Sequence, residues 1–226
     1  MSELILQAVN VCKSYQQSTG TLNVLKGVSL DVSVAEVVTV VGPSGAGKST
    51  LLHILGGLDT PNEGRVILKG KDLYQLNDSD RAKARNRGIG FVFQFYHLLS
   101  EFNALENVVL PMLVREDSRN IKKFEQKGMD LLDRVGLTQR ATHKPNQLSG
   151  GEQQRVAIAR SLANDPEIIL CDEPTGNLDS QSGKDIIQLL VELNKKNHQT
   201  LVIVTHDENI AKLSNRTVHM RDGQLI

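Results

Sequence analysis

Four short stretches of the chain are apolar almost throughout: Val37 to Val41, Ile89 to Phe93, Ile168 to Cys171 and Thr200 to Val204. Each is too short for a helical repeat and is rich in branched or aromatic side chains, so each predicts a strand buried on both faces. Leu4 to Val11 and Gly64 to Lys69 read as further strands, and Val28 to Val32 alternates apolar with polar as a half-exposed one. A polar loop is expected after Lys13-Ser14-Tyr15 through Gly20, and a turn at Ala35-Glu36. Asn77 to Arg87 is charged and helical in character, while Ala104 to Leu113, Phe124 to Val135 and Ser182 to Asn194 are amphipathic, with Pro111 inside or ending the first of these. The stretch from Phe95 to about Ala163 interrupts the alternation of strand and helix. The pattern therefore predicts one domain over residues 1–226, an α/β core of 1–94 and 164–226 with a helical subdomain at 95–163 inserted into it.

The residues that follow the buried runs are polar and carry the candidate chemistry. Val41 leads into Gly42-Pro43-Ser44-Gly45-Ala46-Gly47-Lys48-Ser49-Thr50, which opens into Leu51-Leu52-His53-Ile54-Leu55. A glycine-rich loop between a buried strand and a helix start is a P-loop. Its glycines let successive backbone N–H groups face phosphate oxygens, and the helix adds the positive end of its dipole. Lys48 then reaches the outer phosphates and Ser49 ligates Mg²⁺. Ile168 to Cys171 ends in Asp172-Glu173, the Walker B pattern. It gives Asp172 to Mg²⁺, through water, and Glu173 to the γ-phosphate side as general base for an attacking water. Thr200 to Val204 ends in Thr205-His206-Asp207, and His206 thus falls at the carboxyl ends of the core strands, where open α/β sheets bind ligands.

Three positions are less specific on their own. Tyr15 is either a flat face for a purine or an ordinary packed tyrosine, and Gln94, after Phe93, is by itself a polar strand end. Gln147-Leu148-Ser149-Gly150-Gly151-Glu152 precedes an apolar-periodic helix. Ser149 and Glu152 have the spacing of a capping box, and the two glycines between them strip side chains from a helix N-terminus, making a second anion site.

Composition narrows the class. The 226 residues are 39% hydrophobic and 23% charged, enough to bury a core, and 26 Lys+Arg balance 26 Asp+Glu, so no net field argues for nucleic acid as a partner. No apolar run approaches the roughly 18 residues that span a bilayer, and Met-Ser-Glu-Leu lacks the layout of a signal peptide, so a cytosolic location is expected. Cys12 and Cys171 stand alone and are expected to be small buried apolar residues.

In this order the motifs resemble the ATP-binding-cassette ATPases over essentially the whole chain: Tyr15 at the adenine-stacking position, residues 42–49 as P-loop, Gln94 at the Q-loop, Leu148-Ser-Gly-Gly-Glu152 as signature, Asp172-Glu173, Asp179 in the D-loop and His206 at the switch. The resemblance implies a P-loop NTPase (RecA-like) core with an antiparallel β subdomain, and ATP with Mg²⁺ as ligands. It implies a head-to-tail homodimer in which Ser149 and Gly151 of one subunit meet the γ-phosphate held by the other. It also gives Gln94 contact with Mg²⁺ and the water, and His206 a part in stabilising the transferring phosphate. Two integral-membrane permease subunits would dock near the inserted helices, placing the chain peripherally on the cytoplasmic face of a bacterial inner membrane.

Phe93-Gln-Phe-Tyr-His-Leu-Leu99, Ala104-Leu-Glu-Asn107, Glu152-Gln-Gln-Arg155 and Pro174-Thr-Gly-Asn-Leu-Asp179 are similar to the branch serving lipoprotein release and macrolide export, which also holds a cell-division ATPase. Gly176-Asn177 stands where the commonest D-loop has Ser-Ala, which is usual in that branch. Lipoprotein release is the expectation, with a macrolide-exporter-like or cell-division complex, or a soluble cassette ATPase, as alternatives. A P-loop GTPase is disfavoured because Asn194-Lys-Lys-Asn197 lacks the aspartate of the base-reading motif, and a P-loop kinase has no use for residues 148–152.

Overall fold

The computed structural model describes residues 3–18, 20–114 and 120–226. Two sheets carry the fold. The first holds β1 (Leu4–Gln17), β2 (Gly20–Ser33), β4 (Glu63–Leu68) and β5 (Lys71–Asp72) in the order β2-β1-β4-β5, all antiparallel. The second holds β3 (Val37–Val41), β6 (Ile89–Val92), β7 (Ile168–Asp172), β8 (Thr200–Thr205), β9 (Arg216–Arg221) and β10 (Gln224–Leu225) in the order β10-β9-β3-β8-β7-β6. Pairing in this sheet is parallel except for β10 on β9.

Burial follows the predicted pattern strand by strand. Every residue of β3 and β8 is buried, and side chains alternate between two cores because successive residues of a strand face opposite sides. Val38, Val40, Leu170, Val202 and Val204 face the core that contains Leu51, Leu52, Ile54 and Leu55 of α1 (Lys48–Leu55) and the antiparallel sheet. Ile169, Cys171, Leu201 and Ile203 face the other core, shared with α3 (Ala104–Leu113), α4 (Ile121–Arg134), α5 (Gly150–Ser161) and α6 (Ser180–Asn197). The helices α3, α4 and α5 all fall inside 95–163, and they pack on one another and on the same sheet face as α6. Pro111 lies within the last turn of α3, where the one bond it removes is its own to the Asn107 carbonyl, and its carbonyl oxygen accepts instead from the Asn86 and Asn164 side-chain amides.

Several expectations are corrected. The polar loop after Tyr15 is a hairpin: β1 continues to Gln17 and pairs Tyr15 with Leu22, so Tyr15 stands on a strand. Polar alternation over Ser14 to Gln17 hid that strand, because most of its outer half is exposed. Cys171 is fully buried, which raises its thiol pKa, but Cys12 is only partly buried and points its Sγ toward Asn10 O. The C-terminal β9 and β10, and the one-turn α7 (Glu208–Ala211), went unread, since Arg216 to Arg221 is mostly polar. α2 (Asp78–Gly88) starts where expected, its Asn77 side chain accepting the Asp80 N–H. No described helix is long and apolar enough to cross a membrane.

The two sheets are tied at the Ala35 turn. Glu36 accepts from Arg216 Nε at 2.8 Å and from the Ser33 N–H at 2.8 Å, and the same guanidinium donates to Asp31 O. Burial alone would raise the Glu36 carboxyl, but the bonds from Arg216 and Ser33 hold it below its usual value of 4.5. A depressed carboxylate stabilises the fold above its unfolded pKa, and that contribution disappears as pH falls through the folded value. Glu36→Gln is therefore expected to cost about 1 kcal/mol near neutral pH and progressively less below about pH 4.5. Urea denaturation across a pH series checks this, and a wild-type-to-variant difference independent of pH would contradict it.

Candidate functional site

β3, β7 and β8 are neighbours in parallel register, with Val41 opposite Thr205 and Asp172 opposite Val204. The residues that follow them therefore emerge side by side. They line one open cleft of about 630 Å³, walled by Val24, Ser44, Gly45, Gly47, Lys48, Ser49, Thr50, Gln94, Glu173 and His206. Two glycines of the loop after Val41 are forced. A Cβ on Gly42 would overlap the Met220 carbonyl oxygen of β9, and Gly47 caps α1 in a left-handed conformation with φ 102° and Val24 O within 2.9 Å of any added Cβ. The loop thus runs between β2 and β9 with its backbone exposed toward the cleft, and α1 starts at its end.

Lys48 is buried, and its Nζ donates to Gly42 O at 2.8 Å and Pro43 O at 3.1 Å inside the loop. It sits 3.8 Å from Glu173 Oε1. Ser49 Oγ donates to Asp172 Oδ1 at 2.9 Å, and burial pushes the Asp172 carboxyl above its ordinary range against the pull of that bond. Two hard oxygens converging beside a buried lysine, in a cradle a Cβ would fill, fit Mg²⁺ and a polyphosphate.

Glu173 is fixed from three sides. Its Oε2 accepts from Thr205 Oγ1 at 3.2 Å and lies 3.0 Å from His206 Nδ1, while its backbone N–H donates to Val204 O. Its φ of 44° is left-handed, which for a non-glycine residue costs on the order of 1–3 kcal/mol. The surrounding bonds hold that strain and set the carboxylate at the cleft.

Gln94 lines the same cleft, and its amide is locked to the D-loop, Nε2 donating to Asn177 Oδ1 and Asn177 Nδ2 returning to Gln94 O. Gly176 makes room for this: a Cβ there would come within 2.8 Å of Gln94 Nε2. Tyr96 and His97, two and three residues after Gln94, both have φ of 48°, and the Arg160 guanidinium of α5 donates to their two carbonyl oxygens. That guanidinium is partly withdrawn from solvent, which brings its pKa down to about 10.

The signature residues lie elsewhere. Among the described residues lining the cleft there is none of Ser149, Gly150, Gly151 and Glu152. The capping box they form is complete, Ser149 Oγ accepting from Glu152 N–H and Glu152 Oε2 from Ser149 N–H. Gly150 packs under the Tyr96 hydroxyl and Gly151 against Ser182 of α6, so this helix start abuts those elements and does not line the chain's own cleft. Gly42, Pro43 and Ala46 belong to the loop but not to the lining, nor do Asp172 and Tyr15 line it, the Tyr15 hydroxyl donating instead to Asp59 at 2.6 Å. Thr205, Asn177, Val24 and Met220 have functional contacts that sequence reasoning did not assign. Only Thr205 had a signal, its place beside His206.

The ABC transporter family matches residues 25–176. The chain is 53% identical over 222 residues to the lipoprotein-releasing system ATP-binding protein LolD of Cytophaga hutchinsonii, covering 98% of this chain and 99% of the relative. It is 49% identical over 223 residues to the LolD protein of Acinetobacter baylyi, covering 99% and 97%. Among solved structures it resembles a dimeric, post-hydrolysis form of the ATP-binding cassette MJ0796 bound to ADP and Pi, with a TM-score of 0.90, 43% identity and coverage of 98% and 96%. It also resembles cbiO1 from Clostridium perfringens, part of the ABC transporter complex cbiONQ, with a TM-score of 0.85, 30% identity and coverage of 99% and 87%.

The packing of the loop separates two glycines. Gly42→Ala drives a methyl into the β9 backbone and is expected to cost about 3 kcal/mol or more, lowering Tm by roughly 6–12 °C. Gly45→Ala meets open space at φ 80° and should cost only about 1 kcal/mol of backbone strain. Thermal melts of the two variants check the order, and equal shifts would contradict it.

Proposed function

The chain belongs to the ABC transporter family, and we propose that it is the ATP-binding and ATP-hydrolysing subunit of a complex that releases lipoproteins from the bacterial inner membrane. The observation that carries this reading is the near-complete match, about half the residues identical, to LolD proteins of several bacteria, in a chain whose catalytic positions are all filled. Two copies close head to tail around two ATP molecules. The absence of Ser149 to Glu152 from the lining of their own cleft supports this, since it leaves them to serve another chain's.

Within each site the residues divide the work. Backbone N–H groups from Gly42 to Thr50 and the Lys48 ammonium hold the triphosphate, and Tyr15 stands beside Thr50 to receive the base. Ser49, Asp172 and Gln94 would hold Mg²⁺, which when bound neutralises phosphate charge. Glu173 takes a proton from the attacking water, its carboxylate aimed by Thr205, while His206 steadies the departing phosphoryl group. Most of the acceleration comes from this fixed array of charge, formed before the reaction begins.

Coupling to the membrane runs through the segment after Gln94. Beside it lies a largely apolar groove of about 440 Å³ that includes Arg85, Phe91, His97, Val114 and Arg160, and next to the groove Phe95 is 68% exposed. This face would receive a cytoplasmic element of two integral-membrane permeases of the LolC/LolE kind, holding the chain peripherally at the cytoplasmic side.

Glu173→Gln is expected to slow ATP turnover about 10²–10⁴-fold while leaving ATP affinity within a few-fold. Rapid-quench hydrolysis with parallel equilibrium binding checks both. Hydrolysis at wild-type rate would remove Glu173 as the base. Affinity purification of this variant from detergent-solubilised membranes should recover permease subunits with a large periplasmic domain, and recovery of ribosomal or DNA-bound partners alone would overturn the membrane reading.

A further inference from the structure

Tyr15 does not stand free beside the cleft. Its hydroxyl donates to Asp59 Oδ2 at 2.6 Å, with the Thr50 side chain close by. The other Asp59 oxygen accepts from Lys13 Nζ at 2.6 Å and from the Thr60 N–H at 2.7 Å. Lys13, only 11% exposed at its side chain, also donates to Thr60 O, and its ammonium lies over the Tyr15 ring, 4.8 Å from the centroid. Asp59 is itself tied to the end of α1, its carbonyl accepting from the buried Tyr74 hydroxyl that also reaches Ile54 O.

The geometry points to Asp59 as a positioning residue for the nucleotide base: together with Lys13 it fixes the Tyr15 ring beside Thr50, with one face covered by the ammonium and the opposite face left for stacking. This rests on the reading of Tyr15 as the base platform. The P-loop binds the triphosphate at the N-terminus of α1, and Asp59 hangs the platform from the C-terminus of the same eight-residue helix. Phosphate and base sites are thus both referred to one rigid element. The charges agree with the arrangement. Burial and the adjacent Asp59 carboxylate raise the Tyr15 phenol, so it stays a donor. Burial alone would raise Asp59, but the bonds from Lys13 and Tyr15 hold it below its ordinary value, so it stays ionised.

The test separates base from phosphate. Calorimetric titration of the purified full chain with ATP and with inorganic tripolyphosphate gives the part of the affinity that the nucleoside supplies. Asp59→Ala is expected to weaken ATP about tenfold and tripolyphosphate less than twofold, raising KM far more than it lowers kcat. Tyr15→Ala should do the same, and the double variant should be little worse than either single one, because both remove one platform. Asp59→Asn, which keeps the shape but loses the ion pair with Lys13, serves where the alanine variant folds poorly, and should fall between wild type and alanine. If Tyr15→Ala weakens ATP selectively and neither Asp59 variant does, the positioning role is wrong and the platform stands. Should Tyr15→Ala leave the ATP-to-tripolyphosphate ratio unchanged, the platform reading itself fails, and the role of Asp59 with it.

Discussion

Parallel pairing of β3, β8 and β7 in neighbouring lanes is the constraint on which the site depends. A parallel sheet sends all its strands out at one edge, and here that edge receives the P-loop after Val41, Glu173 after Asp172, and His206 after Thr205. The distances among Lys48, Asp172, Glu173 and His206 follow from strand spacing and not from long flexible loops. The buried alternation of the three strands between two apolar cores holds the register, since a one-residue slip would turn each strand's core side chains to the wrong face. The strained backbone at Glu173 is affordable only on such a rigid support.

A second set of contacts leads away from the cleft. Gln94 is bound to Asn177, Tyr96 lies on Gly150, and Arg160 holds the carbonyls of Tyr96 and His97 in two consecutive left-handed residues. One short segment therefore touches the cleft, the D-loop, the signature helix and the apolar groove at once. A half-buried guanidinium that satisfies backbone carbonyls fixes loop geometry, and removing it would leave those carbonyls without that partner. A shift of the groove wall has a direct path to Gln94.

Much of this was legible in the sequence where the local pattern and the final environment agree. Val37 to Val41 and Thr200 to Val204 are apolar because both faces are covered, so their strands were readable, and so were the polar residues that end them. Ser149 and Glu152 form the capping box that their spacing required. The outer half of β1 and the C-terminal β9 were not legible, because strands with exposed faces have no apolar signature, and β9 pairs with β3 far away in sequence. Asp59, Asn177 and Val24 were missed for the same reason: each acts through a contact with a residue 44 or more positions distant or through a place on a wall. Cys12 was read as buried from its type alone, and the neighbouring register shifts in β1 leave it partly open.

One chain leaves its own signature residues out of its cleft, so the proposed hydrolysis needs a second copy to supply them. The most direct measurement is ATPase activity per chain over a dilution series from micromolar to low nanomolar protein at saturating Mg·ATP, with the assembly state followed by analytical ultracentrifugation. The account requires activity per chain to fall with dilution in step with the loss of dimer. Constant activity per chain down to low nanomolar, with monomer alone detected, would contradict it.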